Sequence, residues 1–339
     1  MFTNVQAAEN SSAYRHIKET LLEGKKLEWD ELALSLFELQ YDLNSVYRDW
    51  CNHLGKSPKV VKSLAEIPFL PIDFFKQEKL SIIKEAPPTY FKSSGTGGYG
   101  QSRHAAYDLD FYDRMCVQSF EAFYGPLEDW CILALLPAYL EREGSSLVRM
   151  AQHFINVSSD SDSGFFLNDL QGLSEILQRK QETGKPTLLL GVSFALWDLA
   201  EQFPMDLSGI TIMETGGMKG RRKELIRADL HAIFQNAFQA KAIHSEYGMT
   251  ELFSQAYSQG AGRFTPAASM KVFCREMEDP FSRAAFGKTG GLNIIDLTNI
   301  DSCAFIETQD LARVYEDGSF EVLGRFDRSE VRGCNLMIG

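Results

Sequence analysis

The sequence predicts an α/β protein: a large domain of mainly parallel sheets flanked by helices, plus a small antiparallel β subdomain near the C-terminus. Three observations support this prediction. Between about residues 85 and 260, apolar runs of strand length alternate with helical patterns. After residue 260 the pattern becomes one of consecutive strands with a hairpin signal. Glycine-rich turns directly follow two of the predicted strands.

The first 84 residues predict helices packed on the core. Leu32, Leu36, Leu39 and Leu43 recur at helical spacing and form one apolar stripe. An extended connector follows at 67–72, because proline disfavours the helical conformation of the residue before it. We therefore expect three units: a helical segment at 1–84, an α/β nucleotide-binding core at 85–260, and a β-rich subdomain with a mobile tail at 261–339.

The core is predicted from short apolar runs followed by helical patterns. The predicted strands are 131–136, 187–190 and 210–213, and the predicted helices are 194–203 and 218–238. In sheets of this kind ligands bind at the carboxyl ends of the strands. Gly216 and Gly217 follow a predicted strand directly, so we expect them in a ligand crevice.

Composition excludes several classes of protein. The net charge of −12 and the absence of a basic patch argue against nucleic acid as a ligand. No apolar run is long enough to span a membrane, and the N-terminus lacks the pattern of a signal peptide. The six cysteines show no CxxC pair, which favours reduced thiols over a metal cluster or disulfides. We therefore expect a cytoplasmic protein.

A loop of glycines and hydroxyl residues, Ser94, Gly95, Thr96, Gly97 and Gly98, is the strongest signal in the chain. It follows a predicted strand at 90–92 and precedes a predicted helix at 105–124, the usual setting for phosphate binding. A flexible surface loop is the plain alternative. A Walker A loop is excluded, because no lysine follows the glycines.

Two phosphate-binding patterns remain for this loop. Gly95, Gly97 and Gly100 match the dinucleotide fingerprint, but its acidic partner would have to be Asp113, which lies in a helical pattern. The loop also resembles the Ser-Gly-Thr-(Thr/Gly)-Gly-x-x-x-Lys/Arg pattern of enzymes that activate a carboxylate with ATP, with Arg103 in the last position.

Three further segments carry groups suited to nucleotide chemistry. One is Tyr247-Gly248-Met249-Thr250-Glu251, which we expect between a strand near 240–243 and a helix. The Thr250 hydroxyl suits a phosphate oxygen and the Glu251 carboxylate suits Mg²⁺, although the two residues could instead form a helix cap. Asp310, at the end of a predicted strand, can accept ribose hydroxyls or simply form a turn. Arg325 can reach ribose or phosphate.

These segments occur in one order over residues 94–333, and that order resembles the adenylate-forming superfamily of acyl-CoA synthetases, luciferases and peptide-synthetase adenylation domains. The Arg332-Gly333-Cys334 ending further resembles the acyl-protein synthetase of the bacterial bioluminescence fatty-acid reductase system. Superfamily members usually carry a further C-terminal domain with a catalytic lysine, and we expect this lysine to be absent here.

The resemblance implies ATP and Mg²⁺ as cofactors and a role for each segment. Ser94, Gly95, Thr96, Gly97 and Gly98 would bind the β- and γ-phosphates, with Arg103 in place of the usual loop lysine. Thr250 would bind the α-phosphate and Glu251 the Mg²⁺. Asp310 would bind the ribose, assisted by Arg325, and His244 would orient the acyl carboxylate or merely pack. The residues expected around the adenine are Gly216, Gly217, Tyr247 and Gly248.

The resemblance also implies a reaction: a carboxylic acid, expected to be a long-chain fatty acid, is activated as acyl-AMP and transferred to Cys334 as a thioester. An acyl-accepting partner protein such as a reductase is then expected. Two alternatives stay open: an acyl- or aryl-CoA ligase acting with a separate partner domain, and a nucleotide-binding subunit with weak or no catalysis.

Overall fold

The computed structural model describes residues 11–77, 80–93, 100–137, 144–216 and 225–326. Its helices are α1 (Ser12–Glu23), α2 (Trp29–Leu43), α3 (Ser45–His53), α4 (Phe74–Gln77), α5 (Leu109–Tyr124), α6 (Ser146–Val157), α7 (Leu170–Thr183), α8 (Ser193–Gln202) and α9 (Arg227–Phe238). Short 3₁₀ turns lie at Leu64–Glu66 and Leu127–Asp129. Within these described ranges, no helix is long and apolar enough to cross a membrane.

The strands fall into one long path and one separate hairpin. They are β1 (Leu70–Pro71), β2 (Thr89–Lys92), β3 (Arg103–Ala106), β4 (Cys131–Leu135), β5 (Gly164–Phe165), β6 (Thr187–Val192), β7 (Thr211–Thr215), β8 (His244–Tyr247), β9 (Ala256–Ser258), β10 (Arg263–Pro266), β11 (Met270–Arg275), β12 (Thr289–Asp296), β13 (Phe305–Val314) and β14 (Phe320–Arg325). The path runs β11-β12-β13-β14-β10-β9-β8-β7-β6-β4-β5, with β1 beside β13.

The parallel half of the sheet confirms the predicted fold class. Strands β5, β4, β6, β7 and β8 pair in parallel, and the core positions of β4 and β6 are completely buried. Such continuous apolar runs are expected of strands covered on both faces. Parallel pairing places the carboxyl ends of these strands at one edge, where Thr215 and Tyr247 are the last strand residues.

The antiparallel half is continuous with the parallel half. β9 pairs antiparallel with β8, and β10 pairs antiparallel with both β9 and β14. The predicted turn at 316–319 is confirmed, because Val314 and Phe320 are register partners across it. Asp310 was expected at the end of a strand, but it lies inside the long strand β13, beside a register shift at Leu311.

The glycine-rich loop connects two strands and not a strand and a helix. β2 and β3 form an antiparallel hairpin, with Lys92 opposite Arg103 and Phe91 opposite His104. The predicted helix therefore begins at Leu109, after Asp108, whose carboxylate caps it by accepting from the Phe111 amide. The predicted start at 105 was wrong because residues 103–106 form strand β3 and pair with β2.

The segment around residue 247 also differs from its prediction. The strand expected near 240–243 lies at His244–Tyr247, and Thr250 and Glu251 lie in a turn and not at a helix start. β9 follows within a few residues. This turn is held by side chains from elsewhere: the Asn299 amide donates to the Glu251 carbonyl (2.8 Å), and Asp296 accepts from the Phe253 amide (2.9 Å).

Two hydrophobic clusters fill the interior, and one of them crosses the predicted unit boundaries. Helices α1–α3 share a cluster with strands β11–β14, so the N-terminal helices pack on the C-terminal strands. The other cluster lies around β4, β6 and β7 under α5 to α9. Gln40 ties α2 to the C-terminal strands: its amide donates to the carbonyls of Asn299 and Ile300 and accepts from the Ala304 amide.

Replacing Gln40 by Leu should lower the free energy of unfolding by about 3 kcal/mol or more, because three buried backbone groups lose their partner. Denaturant unfolding of the purified protein measures this loss. Glu38→Leu, on the exposed face of the same helix, is the control and should change stability by less than about 0.5 kcal/mol. Equal effects of the two changes would contradict the role given to Gln40.

Candidate functional site

The edge where the parallel strands end and the antiparallel strands return, at Gly216, Tyr247 and Asp310, is where a sheet of this kind is expected to form its ligand crevice. Gly216 follows β7 with φ of +70°, a conformation that favours glycine. Tyr247 ends β8, and Gly248 after it is exposed. Asp310 of β13 and Arg325 of β14 are register partners and reach the same place. The structure thus brings together five of the residues that the sequence singled out: Gly216, Tyr247, Gly248, Asp310 and Arg325.

Asp310 connects these strands through its side chain. Its buried carboxylate accepts a hydrogen bond from the Tyr247 hydroxyl (2.7 Å) and another from Arg325 Nε (3.1 Å). The nearby Asp310 charge raises the pKa of the Arg325 guanidinium, so the arginine stays charged. The Arg325 side chain is 78% exposed and its remaining N–H groups are available to a ligand. The carboxylate also retains acceptor lone pairs for hydroxyl groups.

Glu251 is a buried carboxylate at the same edge. Burial raises its pKa, and a hydrogen bond with the Ser102 side chain opposes that shift. Within the described part of the chain Glu251 forms no salt bridge, and no cluster of three or more metal-ligating side chains occurs. A buried carboxylate outside any salt bridge fits a bound divalent cation, which would take its remaining ligands from phosphate and water.

His104, which no sequence motif indicated, holds the turn that carries Thr250. Its Nδ1 lies 3.0 Å from the Thr250 carbonyl and its Nε2 lies 2.6 Å from Ser302 Oγ. Because a carbonyl only accepts, Nδ1 carries the proton and Nε2 accepts from the serine. Burial lowers the pKa of His104 to about 4, so the ring is neutral at physiological pH. It therefore links the loop hairpin to the Thr250 turn.

Arg103 lies at the base of the glycine-rich loop, opposite Lys92. Its guanidinium stacks on the Tyr90 ring at 4.3 Å and stays exposed. Two cations therefore flank the point where the loop leaves the hairpin. The loop residues assigned to phosphate, Ser94, Gly95, Thr96, Gly97 and Gly98, lie outside the described residues, as do Gly217 and Cys334.

His244 lies apart from the other predicted site residues. It begins β8, three residues before Tyr247, which corresponds to about 10 Å along a strand. Its Nδ1 lies 3.0 Å from the Tyr124 hydroxyl, and its ring packs on the Tyr124 ring. Burial lowers its pKa. The structure therefore places His244 in the packing between β8 and α5.

Comparisons with known proteins give relatives by structure alone. No family model matches the sequence, and no curated protein matches it either. Solved structures do match. A 2-hydroxyisobutyryl-CoA ligase in complex with 2-HIB-AMP aligns with a TM-score of 0.66 and 12% identity, over 88% of this chain and 68% of that chain. ATP-bound MatB from Rhodopseudomonas palustris aligns at 0.53 and 15% identity, over 71% and 49%.

O-succinylbenzoate coenzyme A synthetase (MenE) from Bacillus subtilis, with ATP and magnesium, aligns with a TM-score of 0.50 and 16% identity, over 71% of this chain and 51% of that chain. The chain thus spans about half the length of MatB and MenE. At these identities the likeness shows the fold. The protein therefore has the fold that these solved structures share, which confirms the predicted α/β fold class.

The pH dependence of stability should reveal the buried neutral His104. Its pKa is depressed from 6.5 to about 4 in the folded state, so unfolding takes up a proton between these values. Its contribution is therefore complete above pH 6.5 and is lost as the pH falls toward 4, by about 3 kcal/mol in all.

Denaturant unfolding of wild type and His104→Gln across this pH range isolates the effect, because all other titrating groups are common to both proteins. The variant should lose less stability on acidification than the wild type. Parallel pH curves for the two proteins would contradict a buried neutral histidine at this position.

Proposed function

We propose that the protein is an ATP-dependent adenylate-forming enzyme that converts a carboxylic acid into an acyl-adenylate. The observation that carries this proposal is the Tyr247–Asp310–Arg325 cluster beside Glu251, at the carboxyl edge of a sheet with the fold of the CoA ligases. One of these ligases is in complex with 2-HIB-AMP, and two of the related structures contain ATP. That cluster offers acceptors for a ribose, an arginine for phosphate and a carboxylate for a cation.

In the proposed reaction a carboxylate oxygen of the acid attacks the α-phosphorus of ATP. A bond forms between that oxygen and phosphorus, the bond to the bridging oxygen breaks, and pyrophosphate leaves. Charge accumulates on the phosphates, so catalysis depends on positioned cations and hydrogen-bond donors. Mg²⁺ held by Glu251 would neutralise part of this charge.

Each residue of the crevice has a proposed part in binding ATP. Asp310 accepts the ribose hydroxyls with the lone pairs that Tyr247 and Arg325 leave unused, and Arg325 bonds to ribose or phosphate. Arg103, at the base of the glycine-rich loop, binds phosphate together with Ser94, Gly95, Thr96, Gly97 and Gly98. The Thr250 hydroxyl bonds to the α-phosphate, and Gly216, Gly217, Tyr247 and Gly248 flank the adenine.

The position of His244 supports a packing role. Its ring packs on the Tyr124 ring and its Nδ1 lies 3.0 Å from the Tyr124 hydroxyl, at the end of β8 away from the crevice edge. We therefore propose that the acyl carboxylate is oriented by the crevice groups and by backbone donors, and that His244 fixes β8 against α5.

We further propose that the acyl group is transferred to Cys334 as a thioester. The five described cysteines give this assignment indirect support: Cys51, Cys116, Cys131, Cys274 and Cys303 are all buried. Burial raises the pKa of each of these thiols, so none presents a reactive thiolate. An external thiol, on coenzyme A or on a partner domain, is the second candidate acceptor, favoured by the CoA ligases that share the fold.

A long-chain fatty acid as substrate and a reductase as acyl-accepting partner complete the proposal. Both depend on the likeness of the sequence ending to the acyl-protein synthetases of bacterial bioluminescence. A panel of carboxylic acids in ATP–pyrophosphate exchange tests the adenylation step itself, and exchange with none of them would exclude an adenylating enzyme.

Glu251→Gln should lower the rate of ATP–pyrophosphate exchange by about a hundredfold or more, and should raise the Mg²⁺ concentration needed for half the maximal rate. The amide keeps the shape of the side chain but removes its charge. Glu321→Gln, on the half-exposed face of β14, is the matched control and should leave both quantities unchanged. An unaltered Mg²⁺ dependence in Glu251→Gln would remove this residue from the metal site.

Labelled acid incubated with ATP and the full chain should remain on the protein after denaturation and be released by hydroxylamine, as a thioester requires. Cys334→Ser should abolish this label, whereas Cys274→Ala, at a buried thiol, should retain it. Label that persists on Cys334→Ser would assign the acyl group to another residue.

A further inference from the structure

A row of polar side chains crosses one face of the sheet next to the crevice. Thr215, Glu246 and Tyr257 are register partners on β7, β8 and β9, and Thr265 on β10 continues the row. Register partners point to the same face, so these side chains lie opposite to the Tyr247 side chain. Tyr257 packs on Tyr124 at 5.7 Å between ring centroids, which places the row beneath α5.

Glu246 is the charged member of the row and lies at the crevice edge. It is 8% exposed and accepts a hydrogen bond from the Thr215 hydroxyl. Its other oxygen lies against Gly248, so closely that a methyl group there would collide with it. Burial raises the pKa of Glu246 to about 7, and the charge of Glu214 adds to the shift. Within the described residues no lysine or arginine forms a salt bridge with it.

Two further buried polar atoms beside Glu246 lack hydrogen-bond partners within the described part of the chain: the Tyr257 hydroxyl and Gln255 Oε1. Their side chains belong to residues that are 1% and 3% exposed. Burial, followed by the charge of Glu246, raises the pKa of Tyr257, so the two groups are within electrostatic reach. All three groups can accept a hydrogen bond, and each buried group left unpaired costs about 1–3 kcal/mol.

The far end of this row, at Thr265, is exposed to solvent. A cavity of about 410 Å³ lies at its far end, and its lining includes Phe123, Tyr257 and Thr265. The row therefore runs from the crevice edge, at Gly216 and Gly248, to an open cavity on the same side of the sheet.

We propose that this row, with Glu246 at its centre, selects a carboxylic acid that carries a hydrogen-bond donor, a hydroxyl or an ammonium group, close to its carboxyl. The inference rests on the proposed adenylation. With the carboxyl in the crevice, the donor reaches Glu246, and Tyr257 and Gln255 provide further acceptors. An unsubstituted alkyl acid of the same length leaves these buried acceptors unpaired, so within the proposed long-chain class the row favours hydroxy or amino fatty acids.

The test is ATP–pyrophosphate exchange by the full chain with matched acids: each unsubstituted acid beside its α- or β-hydroxy and amino counterparts. Wild type should prefer the donor-bearing acid by about tenfold to a hundredfold in kcat/KM. Glu246→Gln should lose most of this preference, with the larger loss for amino acids because the charge is removed. Preference for the hydroxy acid or for the amino acid identifies which donor the site takes.

Controls separate selection from folding. Tyr257→Phe, which removes only the unpartnered hydroxyl, should reduce the preference by a smaller factor. Glu175→Gln, at an exposed carboxylate of α7 away from the row, is the control and should leave the preference unchanged. Thermal unfolding confirms that each variant is folded.

Two kinds of result would overturn the inference: one contradicts only the selection of the acid, and the other also contradicts the proposed adenylation. Exchange with unsubstituted acids as efficient as with donor-bearing acids, or an unchanged preference in Glu246→Gln, overturns the selection while adenylation stands. Absence of exchange with every acid overturns the proposed function and this inference with it.

Discussion

The hydrogen bond between Tyr247 and Asp310 joins two halves of the sheet that the strand order keeps apart. Three strands, β9, β10 and β14, lie between β8 and β13, yet the two side chains meet at 2.7 Å. The sheet must therefore curl over β9, β10 and β14, the strands that connect the two halves. Both partners are buried, so loss of either would leave a buried polar group unpaired. The hydrogen bond that joins the two halves of the sheet therefore also holds the residues of the crevice in place.

The two faces of β8 serve different purposes because side chains alternate along a strand. Tyr247 points toward Asp310 and the antiparallel half, whereas Glu246 points toward α5 and an unpaired tyrosine hydroxyl. On the Tyr247 side, buried polar groups are satisfied within the chain; Glu214, for example, accepts from Ser193, Ser245 and Arg227. On the other side, two buried atoms, the Tyr257 hydroxyl and Gln255 Oε1, have no hydrogen-bond partner among the described residues. This asymmetry distinguishes groups that hold the structure from the groups that we propose to contact a substrate.

The predictions from sequence succeeded where the signal was local. Apolar runs gave the strands at 131–135 and 187–192, and a turn sequence gave the hairpin after Val314. They failed at β3, because its apolar residues continue smoothly into the pattern of α5. For the site, motifs singled out Thr250, Glu251 and Asp310. They missed His104 and gave no role to Glu246, since the contacts of these residues depend on partners that fold next to them, at Ser302 and at Thr215.

The buried cysteines can report on the opening of both hydrophobic clusters, because each cluster contains at least two of them. Cys51, Cys274 and Cys303 belong to the cluster that joins the N-terminal helices to the C-terminal strands, and Cys116 and Cys131 to the other. A thiol reagent can reach them only when the surrounding cluster opens, and their raised pKa slows reaction further. The relative rates of alkylation in the native protein therefore report whether the halves of the molecule open together or one before the other.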